Sequence, residues 1–216
     1  MFETRRLSSK IILQIVLTVM VIPFLLPLIA MVQESLSGQG WGNYRAVWDT
    51  GVVTEFFRNS AIIAIGVILI VYCLTMLAAY GFAKLHVRGR EIYFWMMLAA
   101  LTLPEVVLLT PMFSTAIALG LYNTYLAVIL PLAALQVPFC VLLTRNFVNG
   151  IPDQLFDAAR VDGASSARIF WNIVLPLTRP IAAAIIILTL IGAWNDYLLP
   201  LVFLQSPATQ TITLLP

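Results

Sequence analysis

The sequence predicts an all-α protein, a polytopic bundle of hydrophobic helices that crosses a membrane several times. Of its 216 residues, 61% are hydrophobic and only 10% are charged, and the mean hydropathy is +0.97. Soluble domains carry about 25% charged residues. Long runs without a charge recur along the chain, and about 20 apolar residues are enough to cross the hydrocarbon core of a bilayer. The net charge of +2 is too small to indicate a nucleic acid or an acidic partner.

The hydrophobic runs predict five membrane spans. Residues 11–32 contain no charge and are longer than the apolar region of a signal peptide, so we interpret them as a retained first span. Residues 92–144 contain a single charge, Glu105, and are too long for one helix. The turn-forming residues 120–123 divide this run in two. The predicted spans are residues 11–32, 59–83, 92–118, 122–144 and 181–204.

The placement of lysine and arginine predicts the orientation of these spans. If the N-terminus is cytoplasmic, 10 of the 12 Lys and Arg residues lie in inner segments, and only Arg45 and Arg58 lie outside. Basic residues accumulate on the cytoplasmic side of membrane proteins. We therefore expect a cytoplasmic N-terminus, and after five spans the chain would end outside.

The inner segment 145–180 is long and carries the signals of a structured loop. Pro152 fits the first position of a helix, and Asp153 is favourable in the first turn. Leu155, Phe156 and Ala159 then share one face, as expected for an amphipathic helix. The other face carries Asp153, Asp157 and Arg160.

A second helix follows a turn in the same loop. Gly163 indicates a helix stop with a left-handed backbone. Ser165 or Ser166 can cap the next helix, which we expect to end at Leu175–Pro176. The tip, residues 158–164, is rich in small residues, which permit a close approach of another backbone. The pattern predicts a helix–turn–helix loop at the inner membrane surface.

Residues 156–164 read Phe-Asp-Ala-Ala-Arg-Val-Asp-Gly-Ala, and Ile173 and Leu175–Pro176 follow. This segment resembles the EAA loop of permease subunits in binding-protein-dependent ABC importers, whose pattern is E-A-A-x-x-D-G-A and then I-x-L-P. The leading Glu of the pattern is Asp157 here. In that family the loop is a coupling helix that docks on a cytoplasmic ATPase. The resemblance therefore implies ATPase coupling through Asp157, Ala158, Ala159, Asp162, Gly163 and Ala164.

The resemblance extends over nearly the whole chain, from about residue 11 to 204, and is strongest to the second, maltose-type permease subunit. It rests on these further matches: Asn59–Ser60, Gly81–Phe82–Ala83–Lys84, Pro104–Glu105 with Pro111, Leu119 to Thr124, Trp194–Asn195–Asp196 and Leu199–Pro200–Leu201. It implies the fold of a type I ABC importer permease, forming one transmembrane domain over residues 1–216. Members of the family usually have six spans, so we expect that this chain is truncated at its C-terminal end.

The resemblance also implies a setting and a set of partners. The expected location is the cytoplasmic (inner) membrane of a bacterium or archaeon. The expected function is half of the translocation pathway for a sugar or related solute in an ATP-driven importer. The expected partners are a second permease subunit in a heterodimer, a cytoplasmic ABC ATPase dimer, an extracytoplasmic solute-binding protein, a sugar-like solute and membrane lipid, but no nucleic acid.

The sequence gives no indication of catalysis. The phosphate-binding pattern G-x-x-x-x-G-K-[ST] is absent, so we expect ATP hydrolysis in a separate subunit and no enzymatic activity here. His86 is the only histidine, and Cys73 and Cys140 lie in apolar runs without metal-ligand spacing. We therefore expect neither a cofactor nor a metal.

Ionisable residues inside spans are candidates for the transport pathway, because a charge in lipid is costly. Glu105 and Asp196 are the two, and Asn195 is the polar neighbour of Asp196. Lining the pathway and capping a helix are equally compatible with these positions. Three alternative functions remain: an ABC importer permease for a non-sugar solute such as a polyamine, an ion-coupled secondary transporter, and a membrane-embedded enzyme.

Overall fold

The computed structural model describes residues 7–215, which form helices and short turns in two compact units, Met1–Val53 and Thr54–Pro216. Arg5 and Arg6 of the basic N-terminal segment lie outside the described residues, as does Pro216. By length and composition, three of the described helices can cross a membrane, and five spans result if each of two bent helix pairs counts as one.

The first unit contains α1 (Leu7–Ser35) and α2 (Trp41–Asp49). Every residue from 9 to 34 is exposed, although this helix is almost entirely apolar. A helix that is hydrophobic on all sides is suited to a lipid environment. The turn between α1 and α2 is held by Asn43, whose Nδ2 donates to the carbonyls of Ser35 at 3.0 Å and Ser37 at 2.7 Å.

The second unit contains the hydrophobic core. Its helices are α3 (Val52–Lys84, which begins two residues before the unit), α4 (Arg90–Ala99), α5 (Glu105–Ala118), α6 (Leu126–Asn149), α7 (Asp153–Val161), α8 (Ser166–Ile169), α9 (Leu175–Leu177), α10 (Arg179–Asn195) and α11 (Leu198–Phe203). The long helices α3 and α6 are at the centre. They approach closely at Gly66, where an added Cβ would lie 2.7 Å from Cδ1 of Ile129. A larger residue at this crossing would therefore require the Ile129 side chain to move.

The run predicted as the third span, residues 92–118, is two helices rather than one. The segment Arg90–Thr102 and α5 meet at an angle of 103°. Leu103 has an extended backbone and is followed by Pro104, which is also extended. Proline disfavours the helical conformation of the residue before it, which explains the break. Pro111, Pro131 and Pro138 remain inside α5 and α6 without ending them.

The run predicted as the fifth span, residues 181–204, is also interrupted. Helix α10 ends at Asn195, Asp196 is extended, and the short helix α11 begins at Leu198. Oδ2 of Asp196 accepts a hydrogen bond from the backbone N–H of Leu199 at 3.2 Å. The carboxylate thus caps α11, because it satisfies a donor that the new helix leaves unpaired.

Residues 205–215, here called the closing segment, return across one end of the bundle. Nδ2 of Asn59 donates to the carbonyls of Ala208 at 3.0 Å and Gln210 at 2.9 Å, and the buried Ser60 hydroxyl accepts from the N–H of Ile212 at 2.9 Å. Asn123 is the only described non-glycine residue with a positive φ, at 59°. Its Oδ1 accepts from the closing segment at distances of 3.0 to 3.2 Å, from the donors Gln205 N, Ser206 N and Thr209 Oγ1.

We predict that Asn59→Ala destabilises the protein strongly. Asn59 is fully buried and also accepts a hydrogen bond from the Tyr125 hydroxyl at 2.8 Å, so the change leaves three polar partners unpaired. Each unpaired buried group costs about 1–3 kcal/mol. The apparent midpoint of thermal unfolding in detergent, followed by tryptophan fluorescence, should fall.

Tyr125→Phe is the matched control, because it removes only one of these hydrogen bonds. Its midpoint should fall by less than half as much as that of Asn59→Ala. Equal midpoints for the two variants would contradict the role assigned to the Asn59 amide.

Candidate functional site

The inner loop has the predicted helix–turn–helix form. Helix α7 is amphipathic, and Phe156 on its inner face is only 1% exposed. We predicted Pro152 as the first residue of this helix, but the helix begins at Asp153 and Pro152 is its N-cap residue. Pro152 is not helical, because its ψ is 133°.

The turn between the two helices contains the left-handed glycine that the sequence predicts. Gly163 has φ +76°, its N–H donates to the Arg160 carbonyl at 3.0 Å, and the next N–H, of Ala164, donates to the Ala159 carbonyl at 2.9 Å. This pair of bonds is a Schellman motif, which satisfies the last carbonyls of α7. Ser165 then caps the second helix, since its Oγ accepts from the N–H of Arg168 at 3.3 Å.

The second helix of the loop continues beyond the predicted end at Leu175–Pro176. A π-helical turn, Phe170–Val174, links α8 to α9, which ends at Leu177. In a π turn each N–H bonds a carbonyl five residues earlier rather than four. This local change of hydrogen bonding directly precedes Pro176, which has no N–H to donate. Beyond Thr178 the chain bends by 75° into α10.

The six predicted coupling residues lie together at the tip of the loop, but they are not equally accessible. Ala159 and Ala164 are half-buried and pack against the protein's own core. The side of α7 that carries Ala159 therefore packs on the bundle, whereas Ala158 is exposed. The exposed members of the set are Asp157, Ala158, Asp162 and Gly163.

Lys84, the last residue of α3, attaches the loop to the bundle, and the sequence analysis assigned it no role. Its Nζ donates to the carbonyl of Ile151 at 2.8 Å and to Oδ1 of Asp153 at 2.7 Å. The same ammonium lies 4.9 Å from the centre of the Phe156 ring. The Lys84 side chain is 7% exposed, so this is a buried charge with a full set of partners. The sequence did contain a signal for this role, since Lys84 ends a hydrophobic span directly before a basic loop.

The pKa of the Asp153 carboxyl lies below its usual value, because the hydrogen bond and the charge of Lys84 favour its ionised form. The contribution of this pair to docking of α7 is therefore complete above about pH 5 and is lost as the pH falls below about 4.

Arg145, near the end of α6, makes a second connection between helices. It is paired with Glu91, at the start of α4, and its guanidinium lies 3.9 Å from the centre of the Phe94 ring. The Arg145 hydrogen bond lowers the pKa of Glu91. The end of α6 is thus tied to α4 by a charge pair and by a cation–π contact.

The three candidate pathway residues do not form one group. Glu105 and Asp196 line the same cavity, which lies between the start of α5, the middle of α6 and the end of α10. Asn195 is exposed and is not among the lining residues, and its Nδ2 donates to the Ile191 carbonyl at 2.9 Å. Asp196 caps α11 and also lines this cavity.

The chain is similar to known transport proteins. Residues 71–216 match the family described as binding-protein-dependent transport system inner membrane component. The chain is 34% identical over 170 residues to the probable ABC transporter permease protein YurM of Bacillus subtilis, covering 79% of this chain and 56% of that protein. It is 38% identical over 158 residues to the arabinooligosaccharides transport system permease protein AraQ of Halalkalibacterium halodurans, covering 73% and 56%. The chain spans about half the length of the curated relatives it matches.

A solved structure supports the fold. A chain of a bacterial ABC transporter involved in the import of the acidic polysaccharide alginate superimposes with a TM-score of 0.82 at 22% identity, covering 97% of this chain and 79% of that chain. The predicted all-α membrane fold of the importer permease kind is thereby confirmed.

We predict that Lys84→Met releases α7 from the bundle. A buried hydrogen bond from a charged group contributes about 1.5–3 kcal/mol, so exposure of Phe156 should rise at least tenfold. Chymotryptic cleavage after Phe156 at pH 8, where Asp153 is ionised, measures this exposure.

Lys10→Met is the control, because Lys10 is exposed in α1 and is the only other lysine. Cleavage after Phe156 should be unchanged in this variant. If Lys84→Met were cleaved as slowly as the unmodified protein, Lys84 would not hold the loop.

Proposed function

Since this chain belongs to the family of inner membrane components of binding-protein-dependent transport systems, we propose that it is a membrane-spanning subunit of an ATP-driven importer for a sugar or related solute. In this proposal it forms half of the translocation pathway, beside a second permease subunit. ATP is hydrolysed by a separate ABC ATPase dimer, and an extracytoplasmic binding protein delivers the solute. The names of relatives such as the arabinooligosaccharide permease support a carbohydrate solute.

The observation that carries the proposal is the exposed, small-residue tip of the inner loop. Asp157, Ala158, Asp162 and Gly163 are exposed at the end of a helix whose other side is fastened to the core by Phe156. Small exposed residues such as Ala158 and Gly163 allow a second protein to approach the backbone closely, although Val161 between them is also exposed. A force applied there is transmitted to α3 through Lys84, because the ammonium bonds both the backbone and the side chain at the start of the loop.

The proposed topology places the N-terminus and the loop 145–180 in the cytoplasm, with spans at 11–32, 59–83, 92–118, 122–144 and 181–204. The basic residues of this loop, such as Arg160 and Arg168, support this orientation, because such residues remain on the inner side. The broken helices inside the third and fifth spans are compatible with membrane insertion, since irregular backbone is tolerated where it faces protein or a wet cavity.

An importer for a non-sugar solute would use the same loop, so the loop does not distinguish the two. An ion-coupled transporter or a membrane-embedded enzyme requires no ATPase. Affinity purification of this chain from its native membrane should recover an ATPase subunit and a second permease, and recovery of neither would overturn the proposal.

We predict that Ala158→Arg and Gly163→Val each reduce solute-stimulated ATPase activity of the complete importer at least tenfold. The arginine adds bulk at the exposed tip. Valine is unfavourable at a φ of +76°, although a Cβ at this position meets no atom within 4 Å, so the effect is one of backbone conformation alone.

Ala158→Ser and Gly163→Asn are the matched controls. Serine remains small, and asparagine tolerates the left-handed conformation, so both should keep most of the activity. Activity retained by Ala158→Arg and Gly163→Val in membranes with normal amounts of the chain would contradict docking at the tip.

The proposed topology predicts from which side of the membrane a reagent can reach the tip. In a variant with Cys73→Ser, Cys140→Ala and Ala158→Cys, a membrane-impermeant maleimide should label inside-out vesicles and leave right-side-out vesicles unlabelled. Labelling from the outer side would place the loop where no cytoplasmic ATPase can bind it.

A further inference from the structure

A cavity of about 370 Å³ lies where the end of α3 meets α7, in the second unit. Its wall carries four basic side chains, which come from different parts of the chain. These are Lys84 at the end of α3, His86 in the turn that follows, Arg90 at the start of α4 and Arg160 in α7. Two carboxylates, Asp153 and Asp157, complete the charged part of the wall.

The two arginines of the wall are held by the end of α3. Nη1 of Arg90 donates to the carbonyl of Leu85 at 3.0 Å, and Nη2 of Arg160 donates to the carbonyl of Lys84 at 3.5 Å. Two successive carbonyls thus orient two guanidinium groups, one from α4 and one from α7. A guanidinium has five N–H donors in a planar fork, so each arginine keeps donors for a further acceptor. Both side chains remain partly exposed, at 36% for Arg90 and 43% for Arg160.

The charge of the lining is positive. Three permanent cations face two carboxylates, which leaves a net charge of +1 when the imidazole is neutral. Both carboxylates are already paired, one with Lys84 and one with Arg160. Glu91 lies 3.5 Å from Nε of Arg90, but it is shared with Arg145. The surplus positive charge therefore remains beside Arg90.

The surroundings of the cavity are typical of a membrane interface. The long apolar helix α3 ends at this cavity, and Val87 is exposed in the turn that follows. The next helix, α4, exposes Tyr93 and Trp95, two residue types that are enriched at the level of the lipid headgroups. Basic pockets between helices on the cytoplasmic side of a membrane bind the headgroups of anionic lipids.

We propose that this cavity binds the phosphate group of an anionic lipid of the inner leaflet. Arg90 and Arg160 hold the phosphate, because a guanidinium donates two parallel hydrogen bonds to its oxygens. His86 lies beside the bound headgroup. A zwitterionic headgroup is disfavoured, since its ammonium group meets a wall of the same charge. The choice of leaflet rests on the proposed topology. The bound lipid joins the turn after α3 to α7, next to the tip assigned to the ATPase.

The experiment uses His86 as a reporter, because it is the only histidine of the chain. Diethyl pyrocarbonate transfers an ethoxycarbonyl group to an imidazole nitrogen and releases ethanol and carbon dioxide, and a histidine covered by a headgroup reacts slowly. The complete importer is placed in nanodiscs of phosphatidylcholine alone or of phosphatidylcholine with phosphatidylglycerol. Mass spectrometry follows the modification of the peptide that contains His86. We expect phosphatidylglycerol to slow this reaction about tenfold, since one charge-assisted hydrogen bond contributes about that factor in affinity.

Two pairs of variants separate the cavity from the general charge of the membrane surface. Arg90→Gln and Arg160→Gln should each remove most of the protection, because each deletes one of the two guanidinium groups. Their controls, Arg88→Gln and Arg168→Gln, delete the same charge from the same two segments at exposed positions outside the cavity, and they should keep the protection. A general surface effect on the imidazole would act on all four variants alike.

Three results would overturn the proposal. These are equal reaction rates of His86 in the two kinds of nanodisc, equal protection in the cavity variants and their controls, and a slowing by inorganic phosphate in phosphatidylcholine discs as large as that by phosphatidylglycerol. The last result would identify a soluble phosphate, rather than a lipid, as the ligand. Slow chymotryptic cleavage after Phe156 verifies that α7 stays docked in each variant, and the comparison of nanodiscs needs no variant.

The outcome is independent of ATP turnover. A complex that contains its ATPase but shows no protection by phosphatidylglycerol would refute the lipid site alone, whereas a chain without an ATPase partner would refute the proposed function.

Discussion

A polar backbone group inside a membrane must find a partner within the protein, and this constraint governs the second unit. The described helices are interrupted near Pro104, Thr178 and Asp196, and at the last two a side chain satisfies the groups that the break exposes. Oγ1 of Thr178 donates to the Leu175 carbonyl at 3.2 Å. Asp196 accepts from the N–H of Leu199, and its own carbonyl accepts from the Thr213 hydroxyl at 2.8 Å.

The same breaks shape the cavity beside α6 and the inner loop. The bend at Pro104 brings Glu105 to the start of a helix beside α6, and the break at Asp196 brings a second carboxylate to the same cavity. The bend after α9 separates the inner loop from the last long helix, so the loop projects from the bundle as a distinct element.

Two basic residues connect the loop region to the long helices by different means. Lys84 is a buried ammonium that bonds a backbone carbonyl and a carboxylate. Arg145 pairs with Glu91 and lies flat on an aromatic ring, for which a planar guanidinium is suited and an ammonium is less so. The end of α3 is thereby joined to the start of α7, and the end of α6 to α4, by directional contacts as well as by apolar packing.

The sequence by itself determined the membrane class, the loop and its turn, because these depend on local chemistry: hydrophobic run length, the left-handed preference of Gly163 and a capping serine at position 165 or 166. The structure then selected Ser165 as the cap. It also showed that Asn59 and the segment at Asn123 resemble the family, but it did not show what either asparagine does. Only the tertiary structure decided that both asparagines hold residues 205–215, some 80 to 150 positions away. The same holds for Lys84 and for the inward packing of Ala159. These roles arise from contacts between helices distant in sequence, and no periodicity or local propensity contains that information.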